Sequence, residues 1–538
     1  MASSGARASA PPAAEAPQFA MDERGLPPWP ALFAYILMAC GMFMAILDIQ
    51  IVSASLSQIQ AGLSASADEI SWVQTSYLVA EVVMIPLSGF LARALSIRWL
   101  FVLSCGGFTI ASFLCSTATT INEMVIYRAI QGFVGGAMIP TLYSAGFVMF
   151  GRARQASLMV IVSLIVTFAP TIGPTLGGWL SDRMGWEWLF LINIIPGVLI
   201  TFGVWALVDI DKPDFALLKR IDFLGLIAMA LFLGGLDYVL EEGARHEWFE
   251  DATILTWAMV TAVAMIAFFW RAFTAPEPIV RLAPFGNFNF AGGAVLGAVF
   301  GIGLYGLVYL YPLFLARVAN LSSEQIGTTL LATGLTMMIS APIAGNLVRR
   351  IDPRALLTLG FLALSLSTYL TSGLTAEWRA PELFVPQVIR GFGLMCCIVS
   401  ISNTTFATLP ADQLKDAPGL FTLLRNLGGA IGLALINTVI LNRYNLHWER
   451  LSEATNAGRP EIQARLEMMR DLATSRGLSD PDAAAIRMLA SQVNEQALVM
   501  SYADCFFLMS VLFAIVAFIP FLLKRPATME QAAANEAH

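Results

Sequence analysis

The chain is built from long apolar runs joined by short polar ones, and this alone confines it to one solvent. A membrane-crossing helix needs about 20 apolar residues. Runs of that order fall near residues 31–54, 71–92, 99–117, 122–145, 157–180 and 189–208. Two follow near 222–240 and 253–271, and six more near 290–315, 325–348, 355–373, 382–406, 417–441 and 500–523. They predict an all-α polytopic membrane protein of about fourteen transmembrane helices. Only 13% of the residues are charged, against about 25% in soluble globular proteins, so most of the surface must meet lipid.

An even number of spans puts both ends of the chain on one side. One set of short loops carries fifteen Lys and Arg, among them Arg93, Arg98, Lys219, Arg220, Arg349 and Arg350. The opposite set holds Arg183, Arg245, Arg317 and Arg379, so the positive-inside rule predicts that both termini are cytoplasmic. Residues 1–28 are Ala- and Pro-rich, with Glu15, Asp22 and Glu23 but no basic leader, and are expected to form a disordered cytoplasmic tail. Residues 526–538 form the second cytoplasmic tail. The loop 442–499 mixes seven Arg with eight acidic residues and reads as a periplasmic segment with an amphipathic helix.

The chain also repeats itself. Pro86, Gly89, Arg93 and Arg98 recur as Pro342, Gly345, Arg349 and Arg354, each 256 residues further on. Arg128 before Gly132 recurs as Arg390 before Gly391 and Gly393 at a similar offset. This predicts two pseudo-symmetric six-helix bundles, 29–208 and 290–525, with two inserted helices in 209–289.

Charge inside the spans is sparse. Of 31 Lys and Arg, only Arg128, Arg390 and Arg425 fall within them, and Asp48 and Glu81 are the clearest acids. A charge at the bilayer centre costs at least ~2.5 kcal/mol on insertion scales, so each needs a cavity or a partner. At about 1.5 Å per residue, Asp48, Glu81 and Arg128 fall within about 6 Å of one another in depth, in the outer half. That fits one shared cavity holding a protonation site, and it equally fits an ion pair between helices. Arg390 and Arg425 are expected to snorkel from helix ends. In the fifth span, Pro170 and Pro174 remove backbone donors while Gly173, Gly177 and Gly178 admit close approach, as a hinge, a seal between halves or a tight crossing would require.

Other chemistries find no support. The six Cys lie in apolar runs without metal spacing, the three His lie in loops or tail, and no phosphate-binding GxxxxGK[ST] occurs. A net charge of −7 argues against nucleic acid as a partner. No cofactor is expected beyond a proton gradient. One proton moving down 100 mV supplies about 2.3 kcal/mol, enough for roughly a fifty-fold gradient of a neutral solute.

With these residues in view, the chain resembles the major facilitator superfamily, and within it the 14-helix drug:H⁺ antiporters of the EmrB/QacA type, over residues 30–525. LDIQIVSASLSQI (47–59) is similar to that branch's first-helix motif, with Asp48 at the acidic position and Gln50, Ser53 and Ser57 as departures. YRAIQGFVGGA (127–137) is similar to the fourth-helix motif, with Arg128, Gln131 and Gly132. APTIGPTLGGWL (169–180) resembles the antiporter motif that separates exporters from importers of the same fold. WEWLFLINIIPG (186–197), EEGARHEWF (241–249) and FTLLRNLGGAIGLAL (421–435) strengthen the likeness. The gating loop GFLARALSIR (89–98) keeps Gly89 and Arg98, but Arg93 stands where the superfamily has Asp and Ser96 where it has Gly. The resemblance implies proton-driven efflux of hydrophobic or cationic drugs across the bacterial inner membrane. It also implies a periplasmic adaptor (EmrA-like) and an outer-membrane channel as partners. The same fold would also serve an exporter of one metabolite, lipid or siderophore, or a nutrient symporter.

Overall fold

The computed structural model describes residues 29–525 except 67–68, 151–154, 244–245, 247, 322, 411–412, 415, 456–458 and 478. The two tails, Arg152, Arg154, Arg245 and Lys415, and the side chains of Pro170 and Arg349, lie outside the described residues. Among the described residues there is no strand. Backbone polar groups inside lipid must bond within their own segment, and helices satisfy that condition.

The first half comprises α1 (Trp29–Ala54), a short α2 (Leu56–Leu63), α3 (Trp72–Leu95), α4 (Ile97–Ser116), α5 (Ile121–Gly135), α6 (Met138–Phe150), α7 (Gln155–Met184), α8 (Trp188–Leu191) and α9 (Ile194–Leu207). Next come α10 (Phe223–Glu242) and α11 (Ala252–Thr274). The second half comprises α12 (Phe288–Arg317), α13 (Ser323–Arg350), α14 (Pro353–Thr371), α15 (Ala380–Phe406), α16 (Ala417–Ala454), α17 (Pro460–Ser475) and α18 (Pro481–Val516). Among the described residues 13 helical stretches are long and apolar enough to cross a membrane. The 30-residue α7, packed between α1 and α13, is a further rod.

Local sequence explains the interruptions. The fourth span breaks at Gly136 and Ala137, between α5 and α6, where the glycines bring backbone against backbone. A methyl on Gly136 would stand 2.8 Å from the Glu81 carbonyl oxygen. The sixth span breaks at Ile192 and Asn193, because Pro196 has no N–H to continue the ladder and is tolerated only in a first turn. Asp352-Pro353 and Asp480-Pro481 start α14 and α18, the Asp side chain accepting from the first turn and Pro filling N1. Exposed Trp29, Trp72, Trp99, Trp188 and Trp270 sit near helix ends, where an aromatic belt belongs.

The halves share their closest contacts. Gly132 of α5 abuts the Tyr77 carbonyl of α3, and Gly391 of α15 abuts the Thr333 carbonyl of α13. Gly173 and Gly177 of α7 abut Gln50 and Ile51 of α1, while Gly428 and Gly432 of α16 abut Ala298 and Ile302 of α12. Gly173 and Gly177 of the fifth-span motif therefore clamp α7 to α1 within its own half. Thr175, in the same motif but on another face of α7, meets the other half at Gly327 of α13.

The expected loop 442–499 is mostly helix. α16 runs on to Ala454, α18 already begins at Pro481, and α17 packs on α18. Tyr444 donates to Asn494 (2.7 Å) and Arg470 pairs with Asp482 (3.0 Å), so the charged residues tie these rods together.

Candidate functional site

Five elements converge on Asp48, six residues before the end of α1. Arg128 and Gln131, three apart on α5, share a face, as do Ser112 and Cys115 on α4. Arg128 Nη1 donates to Asp48 Oδ2 (2.6 Å) and to Gln131 Oε1 (2.7 Å). Gln131 Nε2 donates to Asp48 Oδ1 (3.1 Å) and to Ser112 Oγ (2.8 Å). Asn193, at the break before α9, donates to Asp48 Oδ1 (2.7 Å). Arg128 Nε donates to the Val73 carbonyl of α3 (3.1 Å), and the guanidinium lies 4.3 Å from the Tyr77 ring centre. Asp48, Arg128 and Gln131 are fully buried, and Arg128 Nη2 has no hydrogen-bond partner.

This is a packed polar node, not the shared cavity with Glu81 that depth alone allowed. Desolvating two charges is costly, and the pair is tolerable because Gln131 and Asn193 satisfy the remaining carboxylate lone pairs. Glu81 is not among its hydrogen-bonding members. The charges acting on it are Asp237 of α10, Arg425 of α16 and Arg128.

Arg390 and Arg425 do not snorkel. Both are buried, Arg390 over the Tyr311 ring (4.9 Å) and donating to Gln387 (3.2 Å). Their positions, eight and ten residues past the first residues of α16 and α15, leave the side chains short of the helix ends.

At the Arg-rich end, Arg93 of α3 forms an ion pair with Asp416, the residue that starts α16 in the other half. Gly89 lets Asp416 approach: a methyl there would stand 3.2 Å from its Oδ1. The acid missing from the gating loop is thus supplied across the interface. Arg98 lies 3.6 Å from Asp209, and the Ile97 N–H that opens α4 donates to Asp211 (3.0 Å). Of the fifth-span motif, Pro174 and Gly178 are half-buried, and the Gly178 carbonyl accepts from Ser181 (3.1 Å).

Sequence reasoning missed Ser112, Asn193, Asp237 and Asp416. Asp237 was findable, since it is an acid inside an apolar span like Asp48. Asn193 carried a fainter signal, a polar residue in an apolar run three before Pro196.

The model of the Major Facilitator Superfamily matches residues 38–433, across both repeats and the node. The chain belongs to the major facilitator superfamily. The superfamily's two-bundle transporter fold accounts for the paired glycine crossings, and the protein is a multi-pass membrane transporter rather than an enzyme. It is 37% identical over 495 residues to the colistin resistance protein EmrB of Acinetobacter baumannii, covering 92% of this chain and 96% of that one. Similarity to the multidrug export protein EmrB of Escherichia coli K12 is 28% over 500 residues, covering 91% and 95%. The fatty acid resistance protein FarB of Neisseria gonorrhoeae is 28% identical over 499 residues, covering 92% and 97%. Among solved structures, the human organic anion transporter MFSD10 shares the fold with a TM-score of 0.54 at 14% identity, covering 90% and 99%.

Proposed function

We propose that this transporter exports hydrophobic and cationic drugs in exchange for protons by alternating access across the bacterial inner membrane. Both termini face the cytoplasm, the side to which the loop cations belong. The two bundles are residues 29–208 and 290–525, and 209–289 holds the insertion. The carrying observation is the buried Asp48–Arg128 node, because an ionisable pair inside a membrane bundle marks an ion or substrate path. Each neighbour of Asp48 within bonding distance is a donor. A proton arriving on that carboxyl removes the negative charge that these donors hold, and so weakens all three bonds. Arg128, Gln131 and Asn193 sit on α5 and at the start of α9, and proton binding therefore loosens α1 from both. Movement of the helices and occupancy by the proton are in this way the same event. Arg93–Asp416 closes the cytoplasmic end, and the α7–α13 contact at Thr175 and Gly327 closes the other.

Support for drugs as substrates comes from relatives whose names span colistin, multiple drugs and fatty acids. A periplasmic adaptor would meet the protruding ends of α16 and α18 and the packed α17. The test is a panel of ethidium, colistin and a long-chain fatty acid added to energised everted vesicles from an efflux-deficient host. Antiport releases lumenal protons on addition of a substrate, and Asp48→Asn abolishes this at normal expression. Unimpaired proton release by Asp48→Asn would remove Asp48 from the mechanism, and no release with any compound would remove antiport of these classes.

A further inference from the structure

α10 belongs to neither repeat, yet it carries buried acids where a space-filling helix needs none. The Thr75 hydroxyl of α3 donates to Glu242 Oε1 (3.4 Å), which sets the register of these antiparallel neighbours. From that pair, Glu81 lies six residues along α3 and Asp237 five residues back along α10. At about 1.5 Å per residue both arrive at one depth to within about 2 Å. They act on each other electrostatically, with Arg425 of α16 and Arg128 of α5 as the other charges facing Glu81. Both are buried, and Asp237 Oδ2 has no hydrogen-bond partner. The Thr261 hydroxyl of α11, also buried and without a partner, faces α10 at Gly235. Two like charges side by side in an apolar bundle repel, and a shared proton removes the repulsion. Glu241 is one turn from Asp237, a spacing that places the two side chains on one face. At the outer end, exposed His246 holds Nε2 3.6 Å from Glu242 Oε2, with Asp251 nearby.

We propose that α10 is a proton ladder, in which His246, Glu242, Glu241 and Asp237 pass protons from the periplasmic surface to Glu81. The proposal rests on the proton-driven reading above. Each hop breaks one N–H or O–H bond and forms one O–H on the next group, and every group returns to its starting state once the proton has moved on. Glu81, beside Arg425 of the opposite half, is the terminus from which a proton reaches the interface between bundles.

The test uses the full chain in liposomes, following the protonated-carboxyl stretch by infrared spectroscopy after a jump in external pH. Asp237→Asn and Glu81→Gln each remove one pH-sensitive band, and Asp237→Glu restores the band lost in Asp237→Asn. Glu242→Gln slows the surviving bands by at least about tenfold, as loss of a relay group does. Unaltered band kinetics in Glu242→Gln, or no band lost in either of the first two variants, overturns the ladder. Vesicle proton release reports on antiport separately. Its absence in the unmutated protein overturns antiport and the ladder together, whereas its presence with unaltered band kinetics overturns the ladder alone.

Discussion

Replacing Asp48 by Asn tests whether the node is scaffold or machinery. The carboxylate accepts from Arg128, Gln131 and Asn193 at 2.6, 3.1 and 2.7 Å. An amide keeps one oxygen, so its nitrogen must face at least one donor. Flipping Gln131 does not help, because its oxygen already accepts from Arg128 Nη1 (2.7 Å). The guanidinium also loses its counter-ion while fully buried, which costs about 3–5 kcal/mol. That loss is comparable with the total stability of a marginal fold. Removing the charge as well, in Asp48→Asn/Arg128→Gln, should recover most of it, a coupling of about 2 kcal/mol or more. Thiol-reactive dye reads unfolding in detergent, since Cys105, Cys115, Cys396, Cys397 and Cys505 are buried. Efflux should stay absent in the double variant although stability returns. If efflux returns with stability, Asp48 is scaffold. If Asp48→Asn unfolds like the unmutated chain, the bonding argument is wrong.

Three further outcomes follow from the same contacts. Asp416→Arg sets two cations together where α3 meets the start of α16 and should slow efflux, whereas Arg93→Asp/Asp416→Arg restores the pair and the rate; a dead double variant in properly folded protein would refute the latch. A methyl at Gly391 would stand 2.6 Å from the Thr333 carbonyl, so Gly391→Ala should cost about 1–3 kcal/mol by dye unfolding. Gly286→Ala, with nothing within 4 Å, should unfold as the unmutated chain does. In the turn before α14, the hydrogen bond from the Arg354 side chain holds the Asp352 carboxyl below its usual range, against the opposing effect of burial. A carboxyl lowered on folding stabilises above its unfolded pKa of about 3.9 and loses that contribution as pH falls through the folded value. Asp352→Asn, which still caps α14, should therefore flatten the acid limb of the stability curve below about pH 4; an unchanged limb would show that the bond contributes nothing.

Much of the architecture was legible because lipid imposes length and apolarity on every span. The sites were legible only where chemistry is rare: one Asp and one Arg in apolar runs stand out, and the structure joins them. What escaped were partners whose residue types are common. Ser112 and Asn193 become conspicuous only when folding sets α4 and the start of α9 beside α1. Depth alone grouped Glu81 with Asp48 and Arg128; Asp237 and Arg425, which also act on it, depend on rotation about the helix axis, a coordinate that depth does not carry. In the segment 442–499 the charges marked solvent exposure and an amphipathic helix, but not that the flanking spans run on as the long α16 and α18. Asp416 lay next to a helix start in the opposite half, and no local pattern links it to Arg93.

The two long rods have a mechanical consequence. α16 has 38 residues and is therefore about 57 Å long, against a hydrocarbon thickness of about 30 Å. Roughly 25 Å of it stands clear of the hydrocarbon, braced by the antiparallel overhang of α18. A tilt of about 10° around the bilayer midplane would swing that tip sideways by about 7 Å. Small rocking deep in the bundle is thus geared up into a large stroke outside, readable by whatever touches the tip without any contact with the transported molecule.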